Sequence, residues 1–279
     1  MANYTAADIK ALREKTGAGM LDVKNALDEA DGNAEKALEI IRVKGLKGVA
    51  KREGRSASDG LVAATVTDTA DGQVGTLIEL NSETDFVAKN VSFIALGDKL
   101  LAAAVAAGTE DVAALLASEF EGSTVQGAID EVAATIGERI VLRRVARVAA
   151  PAVTIYLHKV NKDLPPQVGV LVGTDAAAAS VAKDVAMHIA AFSPTYLTRE
   201  DVPAETVASE RRIAEETSRN EGKPEAALPK IVEGRLGGFF KENVLIEQAF
   251  AKDPKTTVGK VVEGTAGTVT GFARFRVGA

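Results

Sequence analysis

The chain contains no cysteine. Disulfides, thiolate zinc centres and a cysteine nucleophile are therefore excluded, and the absence fits a reducing compartment. Tryptophan is missing too, and aromatic residues make up only 4% of the 279 positions, so the core has to be assembled mainly from Ala, Val, Leu and Ile. There are two histidines, His158 and His188, and no pair with metal-ligand spacing. The most apolar stretch, 100–107, falls far short of the ~20 residues that span a bilayer. The first residues, Met1-Ala2-Asn3-Tyr4-Thr5, show no basic segment followed by an apolar one. A soluble, cytoplasmic protein with no membrane partner is expected.

A cationic excess is also lacking. The net charge is −6 and the isoelectric point is near 5.2, which argues against a general nucleic-acid binder, because neutralising phosphates takes Lys and Arg. The motifs of nucleotide and hydrolytic chemistry are absent. Gly259-Lys260 is followed by Val261 and fails the phosphate-loop pattern. Gly17-Ala18-Gly19 has no strand before it, as a dinucleotide site requires, and reads as a turn between helices. No nucleophile elbow occurs. Glu83 and Asp85 stand two apart but lack the aromatic platform that a sugar substrate would need. A lone His188 on an apolar helix is ordinarily a packed or hydrogen-bonded residue. The sequence therefore calls for no cofactor, no metal and no covalent chemistry of its own.

What is present is ample material for a core. Hydrophobic residues reach 46% against 26% charged, enough for two domains or more at this length. Residues 1–45 read as three short helices. Thr5 is placed to cap the first, with Asp8 three residues on. Ile9 and Leu12 mark one face of it, and Gly17-Ala18-Gly19 breaks it. Leu21, Val23, Ala26, Leu27 and Ala30 mark the second helix, and Ala34, Ala37, Leu38 and Ile41 the third. A basic strip follows over 42–55, with Arg42, Lys44, Lys47, Lys51, Arg52 and Arg55 against a single Glu53. Gly45, Gly48 and Gly54 are expected to interrupt regular structure there.

From residue 60 the period changes. Segments 61–66 and 74–80 read as strands joined at Asp71-Gly72. Helices are expected near 92–107, 110–118 and 124–135, and a strand over 140–145. Strands at 153–157 and 168–172, a helix over 176–191 and a strand at 269–275 repeat this order. Gln73-Val74-Gly75-Thr76-Leu77 matches Gln167-Val168-Gly169-Val170-Leu171 at an offset of 94, whereas the helices that follow align best at 85. The first copy therefore carries about nine extra residues, read as a loop within 81–90. Residues 203–240, turning at Gly222-Lys223-Pro224, read as a helical hairpin, a candidate surface for a homodimer or partner.

The expected fold is thus α+β. It has an N-terminal helical bundle (1–45), a basic linker (46–58), a first core half (59–150) and a second (151–279), with the hairpin 203–240 inserted in the latter.

The extra loop, Thr84-Asp85-Phe86-Val87-Ala88-Lys89-Asn90, closely resembles the signature of the bacterial elongation factor Ts family. Leu12-Arg13-Glu14-Lys15-Thr16-Gly17-Ala18-Gly19-Met20, followed by Asp22, Lys24, Ala26 and Leu27, resembles the N-terminal signature of that family. Ala186-Met187-His188-Ile189-Ala190-Ala191, Val232-Glu233-Gly234-Arg235 and the segment 270–275 resemble its later motifs. The resemblance implies a bundle like ubiquitin-associated domains, a duplicated core and guanine-nucleotide exchange on elongation factor Tu, in its GDP-bound and nucleotide-free forms. It places Thr84, Asp85, Phe86 and Val87 where the magnesium site of that GTPase is disturbed, and Gly17, Gly19, Met20, Asp22 and His188 among partner contacts. Physically, Phe86 suits a wedge and Asp85 a competitor for groups around the metal. A C-terminal extension found in some members is lacking, since the chain stops at Gly278-Ala279. The competing expectations are a passive adaptor built on the bundle and an RNA binder using the 42–55 strip.

Overall fold

The computed structural model describes residues 3–279. Helix α1 (Ala6–Thr16) opens on the expected reciprocal cap. The Thr5 hydroxyl accepts from the Asp8 amide at 3.3 Å, and Asp8 accepts from the Thr5 amide at 2.7 Å. Two amides that a helix start leaves without intrahelical partners are satisfied in this way. Helix α2 (Met20–Glu29) and helix α3 (Ala34–Arg52) complete the bundle around Leu12, Val23, Leu27, Ala37 and Ile41. Leu21, assigned to this apolar set from its spacing, instead lies exposed.

The glycine-broken linker is not what the chain forms. Helix α3 continues through Gly45 and Gly48 to Arg52, leaving only residues 53–58 as connector. The reason is tertiary. At Gly45, α3 crosses α7 (Val125–Ile136) so closely that a Cβ would collide with the Ala134 carbonyl. That contact overrides the roughly 1 kcal/mol helix penalty of a glycine. The basic strip is largely engaged within the chain as well. Arg42 pairs with Glu131 and Lys44 with Glu29, Arg55 lies 3.3 Å from Glu83, and Arg52 donates to the Ala133 carbonyl at 3.1 Å. These pairs weaken the case for a strip reserved for RNA.

The first half of the core comprises β1 (Asp59–Thr69), β2 (Gly72–Ser82), α4 (Asp85–Ala88), α5 (Val91–Ala107), α6 (Val112–Ala117), the two-residue strands β3 (Glu119–Phe120) and β4 (Ser123–Thr124), α7 (Val125–Ile136) and β5 (Val141–Ala150). The second half comprises β6 (Ala152–His158), β7 (Val168–Thr174), α8 (Ala182–Phe192), α9 (Ala204–Asn220), α10 (Leu228–Asn243), β8 (Ala249–Phe250), β9 (Asp253–Thr257), α11 (Val258–Glu263) and β10 (Val269–Arg276).

Each half forms a three-stranded antiparallel sheet of the same order, β1-β2-β5 and β6-β7-β10. The sheets pack face to face through Val62, Leu77, Val148, Val153, Leu171 and Phe275. On the outer face of the first lie α5 and α7, with Phe93, Leu96, Leu100 and Ile129 against Ile78 and Leu80. On that of the second lie α8 and α11, with Val185, Ile189 and Val258 against Val170 and Val172. Being covered on both faces, β7 is buried along its whole length, so its sequence shows a continuous apolar run rather than alternation.

The duplication runs deeper than the five-residue match. In each half a small β-hairpin leads into a helix capped by a threonine. Thr124 accepts from the Gly127 amide at α7, and Thr257 accepts from the Lys260 amide at α11. The hairpin α9–α10 falls where the first half has only α6, between the long helix and the small β-hairpin. Its arms close on Ala214, Val232 and Leu236, with Phe240 beside them, and are tied by Arg235 to Glu221 at 2.6 Å. The nine-residue excess read as loop divides differently: α5 has 17 residues against 11 in α8, so most of it is helix.

Candidate functional site

The segment after β2 is built by hydrogen bonds at both ends. Thr84 caps α4, its hydroxyl oxygen accepting from the Val87 amide at 3.4 Å. The same hydroxyl donates to Glu138 Oε1 at 2.6 Å, and the Thr84 amide donates to Glu138 Oε2 at 3.0 Å. One residue earlier, Glu83 accepts from the Arg139 amide at 2.7 Å. Val87 and Ala88 turn inward, Val87 joining the core of the first half. Asn90 ends the turn by capping α5, accepting from the Ser92 amide at 2.8 Å. Asn90, not Asp85, is therefore the cap of α5.

Phe86 points the other way. Its side chain is 73% exposed, on a turn whose neighbours are buried or hydrogen-bonded. The Lys89 ammonium sits 4.5 Å from its ring centroid and 3.6 Å from Asp85, forming a small polar collar around the ring. Leaving such a side chain in water forgoes about 1.5–3 kcal/mol of burial energy.

The turn between α1 and α2 faces this loop. Gly17 ends α1 in the left-handed conformation (φ 73°), and a Cβ there would stand 2.5 Å from the side-chain nitrogen Nδ2 of Asn90. A positive φ and a neighbour at that distance both favour glycine. Gly19 starts α2, Met20 is 61% exposed, and Asp22 lies in the first turn of α2. One groove is lined by Gly17, Gly19, Met20 and Asp22 from the bundle and by Thr84, Phe86 and Val87 from the loop, together with Ile136 and Glu138. Seven of the nine residues singled out from sequence meet there. Asp85 lies beside it on the collar.

His188 does not join them. It has no exposed surface, so the direct partner contact expected of it does not follow from its position. Its protonation is fixed from both sides. Gln248 donates through its amide nitrogen to the Glu242 carbonyl at 2.7 Å and so presents its oxygen to His188 Nε2, 2.8 Å away. The Ala251 amide donates to Nδ1 at 3.2 Å. The ring is the neutral Nε2–H tautomer. Burial pushes its pKa down against a smaller opposing effect of the Gln248 bond. Phe192, stacked on it at 4.7 Å between ring centroids, is the exposed member of the pair.

Sequence reasoning missed Glu138, Arg139 and Lys89 as supports of the loop. Lys89 belongs to the loop motif, but Glu138 lies 54 residues away with no local pattern to connect them. Among the described residues no group of three or more His, Asp or Glu is placed to hold a metal ion, and no helix is long and apolar enough to cross a membrane.

Residues 83–279 match the protein family described as "Elongation factor TS". Over the full length of both chains, this one is 72% identical to the elongation factor Ts of Beutenbergia cavernae. It is 68% identical to that of Micrococcus luteus and 61% to that of Kineococcus radiotolerans, again over the whole of each.

Proposed function

The chain belongs to the elongation factor Ts family, whose role is guanine-nucleotide exchange on elongation factor Tu in translation elongation, and we propose that this member releases GDP by inserting Phe86 into the GTPase beside its magnesium and phosphate site. Exchange is a problem of linkage. A factor that binds the nucleotide-free form more tightly than the GDP form weakens GDP by the same ratio. A factor with equal affinity for both forms shifts nothing.

The observation that carries the reading is Phe86 itself: a large apolar ring held in solvent on a turn anchored to its own core. Burying it between partner elements in the nucleotide-free form alone supplies about 1.5–3 kcal/mol, a bias of roughly tenfold to hundredfold. Asp85 competes for groups that orient the metal and its waters. Magnesium neutralises phosphate oxygens, so disturbing it loosens the nucleotide. Thr84 and Val87 hold the turn, while Gly17, Gly19, Met20 and Asp22 offer a second contact along the same groove. The protein itself makes and breaks no covalent bond, and it acts in the cytoplasm.

The test is GDP release from elongation factor Tu under stoichiometric protein, wild type against Phe86→Ala. A loss of most of the acceleration with an unchanged circular-dichroism melt is expected. Equal rates would remove the wedge, and a wild type that binds without accelerating release would leave a passive adaptor.

A further inference from the structure

We propose that Glu138 is a positioning residue for exchange, holding the Phe86 turn in its projecting geometry through the double hydrogen bond to Thr84; the proposal rests on the role given to Phe86 above. The helix α4 that carries Phe86 has four residues, too few to persist without outside support. Its support is a relay. The Thr84 hydroxyl donates a hydrogen bond to the Glu138 carboxylate at 2.6 Å, which turns the hydroxyl oxygen toward the Val87 amide. The second carboxylate oxygen takes the Thr84 amide at 3.0 Å. Bonds to an ionised acceptor are the stronger kind, and a polarised chain reinforces each link. On the other strand of the clasp, Glu83 takes the Arg139 amide at 2.7 Å, so two adjacent pairs of residues bind each other reciprocally.

The second half of the core contains the same device with its parts exchanged. There Asp175 lies in the loop after β7, and Thr268 in the segment before β10. Thr268 donates its amide and its hydroxyl to Asp175 Oδ2, both at 2.9 Å. A threonine thus donates two hydrogen bonds to one carboxylate across the corresponding pair of loops in each half. The loop held by Asp175 reads Ala176-Ala177-Ala178-Ala179 and offers no large side chain. The scaffold has one clasp per half, and only the first has an exposed aromatic ring two residues from it. Releasing that clasp leaves the ring in place chemically but lets the turn sample other shapes, so the ordering cost moves to the moment of docking. The signature of such a defect is weaker apparent affinity with the release rate at saturation preserved.

The experiment compares Glu138→Ala, Glu138→Gln, Asp175→Ala and Phe86→Ala in stimulated GDP release from elongation factor Tu, titrating each protein to saturation, with amide hydrogen exchange of the free proteins. Glu138→Ala is expected to raise the half-saturating concentration by about tenfold, from the backbone freedom restored to a few residues, while the maximal release rate stays within about twofold. Glu138→Gln, which keeps one acceptor oxygen, falls between. Exchange at the Val87 and Ala88 amides accelerates in both Glu138 variants, and Thr84→Val added to Glu138→Ala costs less than it does alone, because the two residues belong to one hydrogen-bond network. Asp175→Ala, the matched deletion in the other half, is expected to lower the melting temperature comparably and leave release unchanged. Wild-type half-saturation in a folded Glu138→Ala or Glu138→Gln protein would overturn the proposal, as would equal losses in the Glu138 and Asp175 variants. An inactive Phe86→Ala beside a fully active Glu138→Ala sinks the clasp alone, whereas a fully active Phe86→Ala removes the reading beneath it.

Discussion

Leu77 covers Gly169 as Leu171 covers Gly75. A Cβ built on Gly169 would stand 2.7 Å from a Leu77 methyl, and one built on Gly75 would stand 3.1 Å from a Leu171 methyl. The two pairs occupy matching positions of the duplicated strand segment, so the halves are joined by one knob-and-hole contact used twice. Gly75→Ala and Gly169→Ala are each expected to overpack this interface and cost about 1–3 kcal/mol. Urea denaturation of the single and double variants measures this, with Leu77→Ala expected to restore part of the loss in Gly169→Ala but none in Gly75→Ala.

Burial of His188 makes stability depend on pH. Its folded pKa lies below the ordinary value of 6.5, with desolvation as the main cause. The unfolded chain then binds a proton that the folded chain refuses. The contribution is fully present above pH 6.5 and is lost as pH falls through the folded value. Melts between pH 8 and 5 should show the wild type weakening on the acid side and His188→Gln with a flatter profile in that window. Parallel curves for both proteins would contradict the assignment.

Substitution of Met20 tests stability and the proposed partner binding separately. At 61% exposure it contributes little to the bundle core, so Met20→Ala should leave the melting temperature within about 1–2 °C, as for a surface substitution. If its place in the groove beside Phe86 is used, the same variant weakens apparent affinity in the release assay several-fold. An altered melt with an unaltered titration would reverse that assignment.

Glu79 is wholly buried and is paired to Arg144 at 2.5 Å. It also accepts the Gly278 amide at 3.1 Å, while Arg144 donates to the Arg276 carbonyl at 3.0 Å and stacks over Phe275. The end of the chain is thereby fastened to the first sheet. Arg144→Met strands a buried carboxylate and is expected to cost about 3–5 kcal/mol. Chemical denaturation reads the loss, and proteolysis at the C-terminus should quicken.

Local chemistry made much of this legible in the sequence. Thr5 and Asp8 announce their cap, the strand segments show their apolar runs, and the loop 84–90 stands out as a motif. What escaped was decided by partners distant in the chain. Gly45 and Gly48 look like helix breakers until α7 is placed against α3. The hydrogen-bond partner that orients His188, Gln248, lies 60 residues on. Glu138 has no meaning for Phe86 without the sheet that brings its loop to Thr84. The hairpins β3–β4 and β8–β9 were too short to show a period.

The unbroken run of α3 onto α7 carries a mechanical consequence. A bundle on a floppy tether would search for its docking point separately, gaining avidity from an effective concentration set by tether length. Here Met20 and Phe86 line one groove of a single body, and their separation is fixed when the chain folds. On the proposed docking a partner meets both together, and inserting a few glycines after Arg52 should weaken binding in the release assay far less than inserting the same glycines at Gly45, where α3 meets α7.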